Sequence, residues 1–432
     1  MNYKYELKNG VTVLLIHRRP SKQGAIVVGS RVGTRLETPK NNGLFHLTEH
    51  AILEGSKKYP SVTQIERIID AMAGEMNAYI TKDIMMFFLR LPSRNIFQGF
   101  DLMSDIMLHP LLKPEAIHKE RTSVIEEINE DLDDYPSIAE ELFDSILFTN
   151  RSASDELVRH PLTLPNIGNK DRLANIHASH VERCWKRVIN PKNLVITVVG
   201  NFPVDKMKRR ISQAFSHLRP RFTLPGHPFH DTQSEYRLGL VTRQTEQIYF
   251  QLGFPTFGWA DKRYYAMAVL NNVLGGKPSS RLYQLMRGQK GIVYFIGSDI
   301  WHYADIGFLH ITTSCSPGNS PQLLDYIFEE LRKLKTEKIS TDELRETQSH
   351  LKGHATIMFE EALHAGKFYT GQLLRLNTII PVNTYKQRID TVTRTDVQKL
   401  ANQILHTKKI NLAMVGPVDD SLQSEIKTKL VL

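Results

Sequence analysis

An internal echo constrains this chain more than any other feature. The run Leu194-Val195-Ile196-Thr197-Val198-Val199-Gly200 resembles Ile410-Asn411-Leu412-Ala413-Met414-Val415-Gly416, and each is soon followed by Val-Asp, at Val204-Asp205 and Val418-Asp419. The two runs lie 216 residues apart, and at an offset of 220 a helical pattern ending at Gly55 faces one ending at Gly275. Self-similarity at so long a period implies two related units of roughly 210 residues, each with its own core. The stretch from His217 to Gln233 holds Pro220, Pro225, Gly226 and Pro228 without clear periodicity, so it is expected to be a linker. The predicted organisation is therefore an N-terminal domain over 1–216, a linker over 217–233 and a homologous C-terminal domain over 234–432.

Both strand and helix patterns occur in each half, which predicts an α+β class. The expected form is two α/β-sandwich-like domains, each a mixed or antiparallel sheet with helices packed on one face. Tyr3 to Leu7 and Val11 to Ile16 flank Asn9-Gly10, a strong hairpin signal, and a strand-like run from Gly24 to Val32 follows. Structure that begins so early leaves no room for a transit peptide, an expectation about the chain as written. Helical spacing appears from Gly43 to Leu53, around Ile65 to Met72, around Phe97 to Met107, after Pro114, and from His177 to Val188. Ala78 to Leu91 reads as one strand.

Composition narrows the function classes. The chain has 432 residues, 41% hydrophobic and 23% charged, and no apolar run of the roughly 18 to 20 residues needed to cross a bilayer. Cys184 and Cys315 are too few for a disulfide framework and lack the spacing of a cysteine zinc site. A soluble protein of a reducing, cytoplasmic compartment is the expectation. The 55 basic and 46 acidic residues leave +9, and the basic stretch from Lys206 to Arg221 lacks the interleaved aromatics of a nucleic-acid surface. No nucleic acid and no membrane insertion are expected.

The residues that carry chemistry are His46-Leu47-Thr48-Glu49-His50, an H-x-x-E-H pattern. At 100° per residue His46, Glu49 and His50 fall within an arc of about 100° on one helix face. Leu44, Phe45, Leu47, Ala51, Ile52 and Leu53 surround them, so the helix should be buried, and buried polar groups are unfavourable unless satisfied. A divalent cation would satisfy all three together; the plainer alternative is a pair of hydrogen-bonded core histidines. Zinc would need one more protein ligand and an open position for water. The helix after Pro114 offers Glu120, Glu126, Glu127 and Glu130. With Ile117 at zero, Glu120 and Glu127 lie at about 300° and 280°, bordering the apolar stripe, whereas Glu126, at about 180°, points outward.

At these residues the sequence resembles the M16 metallopeptidase family, the insulinase and pitrilysin group that includes mitochondrial processing peptidase. Passing over 76 residues beyond His50, as the family's spacing requires, reaches Glu127. The resemblance implies zinc ligands His46, His50 and Glu127, one zinc per chain, general base Glu49 and an accessory acid at Glu120. Gly43, Gly55-Ser56 and Lys58-Tyr59-Pro60 also look like the family, although Leu53 stands where an aromatic is common. Asn77-Ala78 looks like the start of an edge strand on which extended substrate adds by main-chain hydrogen bonds. Gly275-Gly276-x-x-Ser279-Ser280-Arg281-Leu282 and Gly291-Ile292-Val293-Tyr294 resemble the family's substrate-holding pair, here Arg281 and Tyr294.

The second half has Ala266, Val269 and Leu270 opposite His46, Glu49 and His50, so it is expected to be metal-free. The family implies a clamshell half, with two chains enclosing a chamber that admits peptides. A homodimer is the expected partner arrangement, with a heterodimer of M16-like subunits as the alternative. The implied function is a zinc metalloendopeptidase; the competing reading is a non-catalytic peptide-binding or scaffold subunit. His177 and His180 are expected to be a surface pair, and Cys315 an inert thiol.

Overall fold

The computed structural model describes residues 2–151, 156–220 and 227–432. They form two compact units, the first comprising Met1–Asn129, Leu164–His227 and Thr356–Pro381, the second Glu130–Thr163, Pro228–Ala355 and Val382–Leu432. The division differs from contiguous domains over 1–216 and 234–432, because each unit takes a segment from the other half of the chain.

The first unit is built on a six-stranded mixed sheet. Its strands are β1 (Asn2–Glu6), β2 (Thr12–His17), β3 (Gln23–Ser30), β4 (Glu75–Ile80), β5 (Met85–Pro92) and β6 (Leu194–Gly200), in the order β1-β2-β6-β3-β5-β4. The Asn9-Gly10 hairpin is present, with Asn2 opposite Ile16 and Glu6 opposite Thr12. Parallel pairing of β2 with β6 makes the sheet mixed. What reads in sequence as one strand from Ala78 to Leu91 is two, β4 and β5, paired antiparallel with Ile80 opposite Met85. The turn between them, Thr81-Lys82-Asp83-Ile84, lacks Gly, Pro and Asn and carries a single turn-forming residue, Asp83.

Period-two alternation splits each inner strand between two cores. Ile26, Val28, Phe87 and Leu89 face a large cluster with Phe45, Leu47 and Ile52 of helix α1 (Leu44–Leu53), Ile65 of α2 (Val62–Ala71) and Phe100 of α3 (Ile96–Leu108). Ile117, Val124 and Ile128 of α4 (Pro114–Asp133), Val181 of α6 (Ala178–Val188) and Ile211 of α7 (Val204–Phe215) join it. Leu14, Val27 and Met86 face the other way, against Leu373 and Leu374 of α10 (Ala362–Leu376). That helix is close because β3 carries Gly29, where a Cβ would lie 2.5 Å from Thr370 Cγ2.

The second unit repeats the plan. Its strands β7 (Arg237–Thr242), β8 (Ile248–Phe257), β9 (Ile296–His302), β10 (Ile306–Cys315) and β11 (Asn411–Gly416) form a mixed sheet in the order β9-β10-β8-β11-β7. Helices α8 (Tyr264–Leu274), α9 (Ser320–Thr336) and α11 (Arg394–Ile404) pack on one face. On the other lies α5 (Tyr135–Leu147), whose Phe143 and Leu147 pack with Phe308 and Ala413. Gly253 of β8 permits this approach, since a Cβ there would lie 2.7 Å from the Phe143 ring. Helices on one face were expected; in each unit the structure adds a single helix on the opposite face, drawn from the other half of the sequence.

Candidate metal centre

Helix α1 is buried almost all round, with Phe45, Leu47 and Ile52 inaccessible. It packs against α6, α3 and β4. A helix held on several sides has little freedom to turn, so the face carrying His46, Glu49 and His50 has a fixed direction. It points at Glu127, which directly precedes Ile128 at the border of the apolar Ile117–Val124–Ile128 stripe of α4.

Three ligand atoms converge there. His46 Nε2 and His50 Nε2 are 3.2 Å apart, and the two Glu127 carboxylate oxygens face the pair, Oε2 at 3.5 Å from His46 Nε2 and Oε1 at 3.6 Å from His50 Nε2. A tetrahedral zinc with bonds of about 2.0–2.1 Å needs its ligand atoms about 3.3–3.4 Å apart, so the spacing fits zinc. Among the described residues this is the only group of three His, Cys, Asp or Glu side chains so placed. Glu127 is 41% exposed at its side chain, which leaves one side of the site open.

The outer partners determine which nitrogens face the centre. His46 Nδ1 is 3.2 Å from the Ile167 carbonyl, which can only accept, so Nδ1–H donates to it. His50 Nδ1 is 3.1 Å from Glu120 Oε2 and donates likewise. With each Nδ1 donating outward, both Nε2 atoms turn towards each other and towards the Glu127 carboxylate, an arrangement that a cation at its centre would satisfy.

Burial, then the charge of His50, lowers His46 to about 4, so it is neutral near pH 7. Burial also pulls His50 down, but the hydrogen bond to Glu120 and the charges of Glu127 and Glu49 outweigh it, and the net shift is upward. The bond from His50 holds Glu120 below the usual carboxylate range, despite its burial. Burial raises Glu49 to about 7, opposed by His50 and reinforced by Glu127, and one of its carboxylate oxygens is buried without a hydrogen-bond partner. Glu49 thus shares the helix face with His46 and His50, and burial shifts its carboxyl upward. Glu120 and Glu127, equivalent on the helical wheel, are separated here: Glu120 takes the rear nitrogen of His50, Glu127 the front. Glu126 is exposed, as its wheel position implies, and so is Glu130.

Comparison with known proteins bears on the chain as a whole. The sequence profile described as "Insulinase (Peptidase family M16)" matches residues 12–160, and that described as "Peptidase M16 inactive domain" matches residues 175–351. The chain belongs to peptidase family M16. An uncharacterized zinc protease of Streptomyces coelicolor is 28% identical over 405 residues, covering 92% of this chain and 86% of its own. The uncharacterized zinc protease YmxG of Bacillus subtilis is 27% identical over 416 residues, covering 96% and 98%. Among solved structures, a protease from Helicobacter pylori has a TM-score of 0.88 at 20% identity, covering 96% of this chain and 99% of that one. A peptidase M16 inactive domain from Pseudomonas fluorescens has a TM-score of 0.84 at 17% identity, covering 97% and 98%.

The remaining expected M16 site residues lie in different surroundings. Asn77, exposed, and Ala78, half-buried, sit on β4, the edge strand of the first sheet, which packs beside α1. Arg281 and Tyr294 belong to the second unit. The Arg281 guanidinium is engaged by both carboxylate oxygens of Glu343, at 2.7 and 3.1 Å, whereas Tyr294 is 81% exposed with Arg287 over its ring. In α8, Ala266, Val269 and Leu270 are buried in apolar packing, so the paired helix offers no ligands.

His177 and His180 form the capping box of α6. Cys184 and Cys315 are free and buried, which raises their thiols to about 12 and about 11 and leaves them inert. Among the described residues no helix is long and apolar enough to cross a membrane. Ile167 escaped the sequence reading, since a backbone carbonyl in an irregular segment leaves no compositional mark.

Proposed function

We propose that the chain is a zinc-dependent metalloendopeptidase that hydrolyses peptides, or processes a precursor peptide, within a chamber closed by a second chain. The observation that carries this reading is the near-tetrahedral spacing of His46, His50 and Glu127 beside a desolvated Glu49. A zinc ion held by those ligands would act as a Lewis acid on the scissile carbonyl and acidify the attacking water. Glu49 accepts the proton from that water and returns it to the leaving amine, which its pKa near neutrality suits. Glu120 keeps His50 oriented. Extended substrate pairs with the edge of β4 at Asn77 and Ala78, and Arg281 and Tyr294 are the residues that hold substrate in the second unit. A homodimer is the economical partner arrangement, because one chain carries both the metal motif and the Arg281 and Tyr294 positions. A cytoplasmic location fits its two free, buried thiols.

The test is mass spectrometry of products from a mixed peptide pool, with and without chelator, on wild type and Glu49→Gln. We expect one zinc per chain in both, and turnover about 10²- to 10⁴-fold lower in the variant. Cleavage at the wild-type rate by Glu49→Gln would refute the assigned base, and zinc without any cleavage would favour a scaffold subunit.

A further inference from the structure

We infer that Glu37 is a positioning residue for the metal centre: with Asn42, Lys82 and Thr34 it pins segment 164–167 so that the Ile167 carbonyl fixes the tautomer of His46. The inference rests on the zinc-site reading above and deepens it.

Helix α1 starts after Gly43, whose φ of 97° only glycine adopts readily and which has no side chain to cap the first turn. The Glu37 carboxylate does so instead, accepting from Phe45 N at 2.8 Å and from Gly43 N at 3.0 Å. It also accepts from Asn42 Nδ2 at 2.8 Å. Glu37, Asn42 and Lys82 are 1%, 2% and 2% exposed. An ordinary cap would end there, and a single exposed Asp or Ser would serve as well.

This cluster reaches further. Asn42 Nδ2 also donates to the Pro165 carbonyl at 3.0 Å, Lys82 Nζ donates to the Leu164 carbonyl, and Thr34 Oγ1 donates to Asn166 Oδ1 at 2.7 Å. Residues 164–167 have no helix or strand of their own, so these bonds set their path. The next carbonyl along is Ile167, at 3.2 Å from His46 Nδ1. Four consecutive residues are thus held: Leu164 by Lys82 and Pro165 by Asn42, both beside the Glu37 carboxylate, Asn166 by Thr34, whose carbonyl accepts from Glu37 N, and Ile167 on His46. A neutral imidazole can carry its proton on either nitrogen. Were Ile167 to shift, the proton could move to Nε2, the atom that must bind metal. Glu37 touches neither ligand nor substrate; it acts through the segment.

The experiment uses the full chain and two variants, Glu37→Gln and the milder Thr34→Val. Ile211→Ala, a buried change elsewhere in the first unit, serves as a control for lost stability. Nitrogen NMR of the metal-free protein, with the His46 signal assigned against His46→Ala, reads the tautomer. Competition with a chromophoric chelator reads zinc affinity. We expect His46 to be protonated on Nδ1 in wild type and in Ile211→Ala, and to show both tautomers in the two variants. Zinc affinity should fall about 10- to 100-fold in Glu37→Gln, and towards the lower end of that range in Thr34→Val. A single Nδ1–H tautomer with wild-type zinc affinity in both variants would overturn the inference, as would equal losses in Ile211→Ala. A wild-type chain that takes up no zinc would sink the metal reading, while the metal-free tautomer comparison would still decide the role of Glu37.

Discussion

Replacing Glu120 by Gln isolates the charge behind His50. The amide keeps the size of the side chain and an oxygen to accept from Nδ1–H, but removes a negative charge 3.1 Å from the ring. Two unit charges at that distance interact by about 5 kcal/mol at an effective dielectric of about 20. The imidazole takes on only part of an ion's charge when it binds metal, so a third to a half of that, about 2 kcal/mol, is the expected loss. This is about 30-fold in zinc affinity, within the 10- to 100-fold range typical of partners behind a ligating histidine. Chelator competition at fixed pH and ionic strength measures it directly. Glu126→Gln, on the exposed face of the same helix, is the control and should leave affinity unchanged. Glu120 is 8% exposed, so raising the salt should alter the difference little. An affinity within threefold of wild type, or an equal loss in Glu126→Gln, would refute the argument.

Two further outcomes follow from the same structure. Burial raises Glu49 from 4.5 to about 7, so between those values the folded chain binds a proton that the unfolded chain has released, and stability falls as pH rises through that window. In chelated protein, the stability of Glu49→Gln relative to wild type should therefore rise from pH 5 to pH 8, by on the order of 3 kcal/mol; a flat difference in urea unfolding would contradict the assignment. Phe143→Ala should remove about 3–5 kcal/mol and lower hydrogen-exchange protection in β8 and β10 of the second sheet, although residue 143 lies in the N-terminal half. Loss of protection confined to the first sheet would show that α5 belongs elsewhere.

The parts legible in the sequence were those whose signal is local. The Asn9-Gly10 hairpin, the 3.6-residue spacing of α1 and α4, and the shared face of His46, Glu49 and His50 each lie within a few turns of chain. The β4–β5 turn leaves a weak mark, because Asp83 is the one turn-forming residue in Thr81-Lys82-Asp83-Ile84 and the residues on either side, Ala78-Tyr79-Ile80 and Met85-Met86-Phe87-Phe88, continue a strand-like pattern. Helix α5 went unread although Ala139, Phe143 and Leu147 recur at helical spacing, and nothing in that spacing says which sheet the stripe covers. The buried Lys82 looks in sequence like any surface lysine; its place beside Glu37 comes from two loops more than forty residues apart in the chain.

Residue types and helical periodicity were enough to specify a metal-competent helix and a metal-free twin and to put Glu120 and Glu127 at the edge of the core, because periodicity turns sequence separation into direction; the choice of Glu127 as ligand came from the family resemblance. Which acid touches which nitrogen, which carbonyl holds His46, and the exchange of one helix between the two units were decided only when distant segments packed. Those outcomes depend on the relative placement of rigid elements, and no local pattern encodes the vector from one element to another.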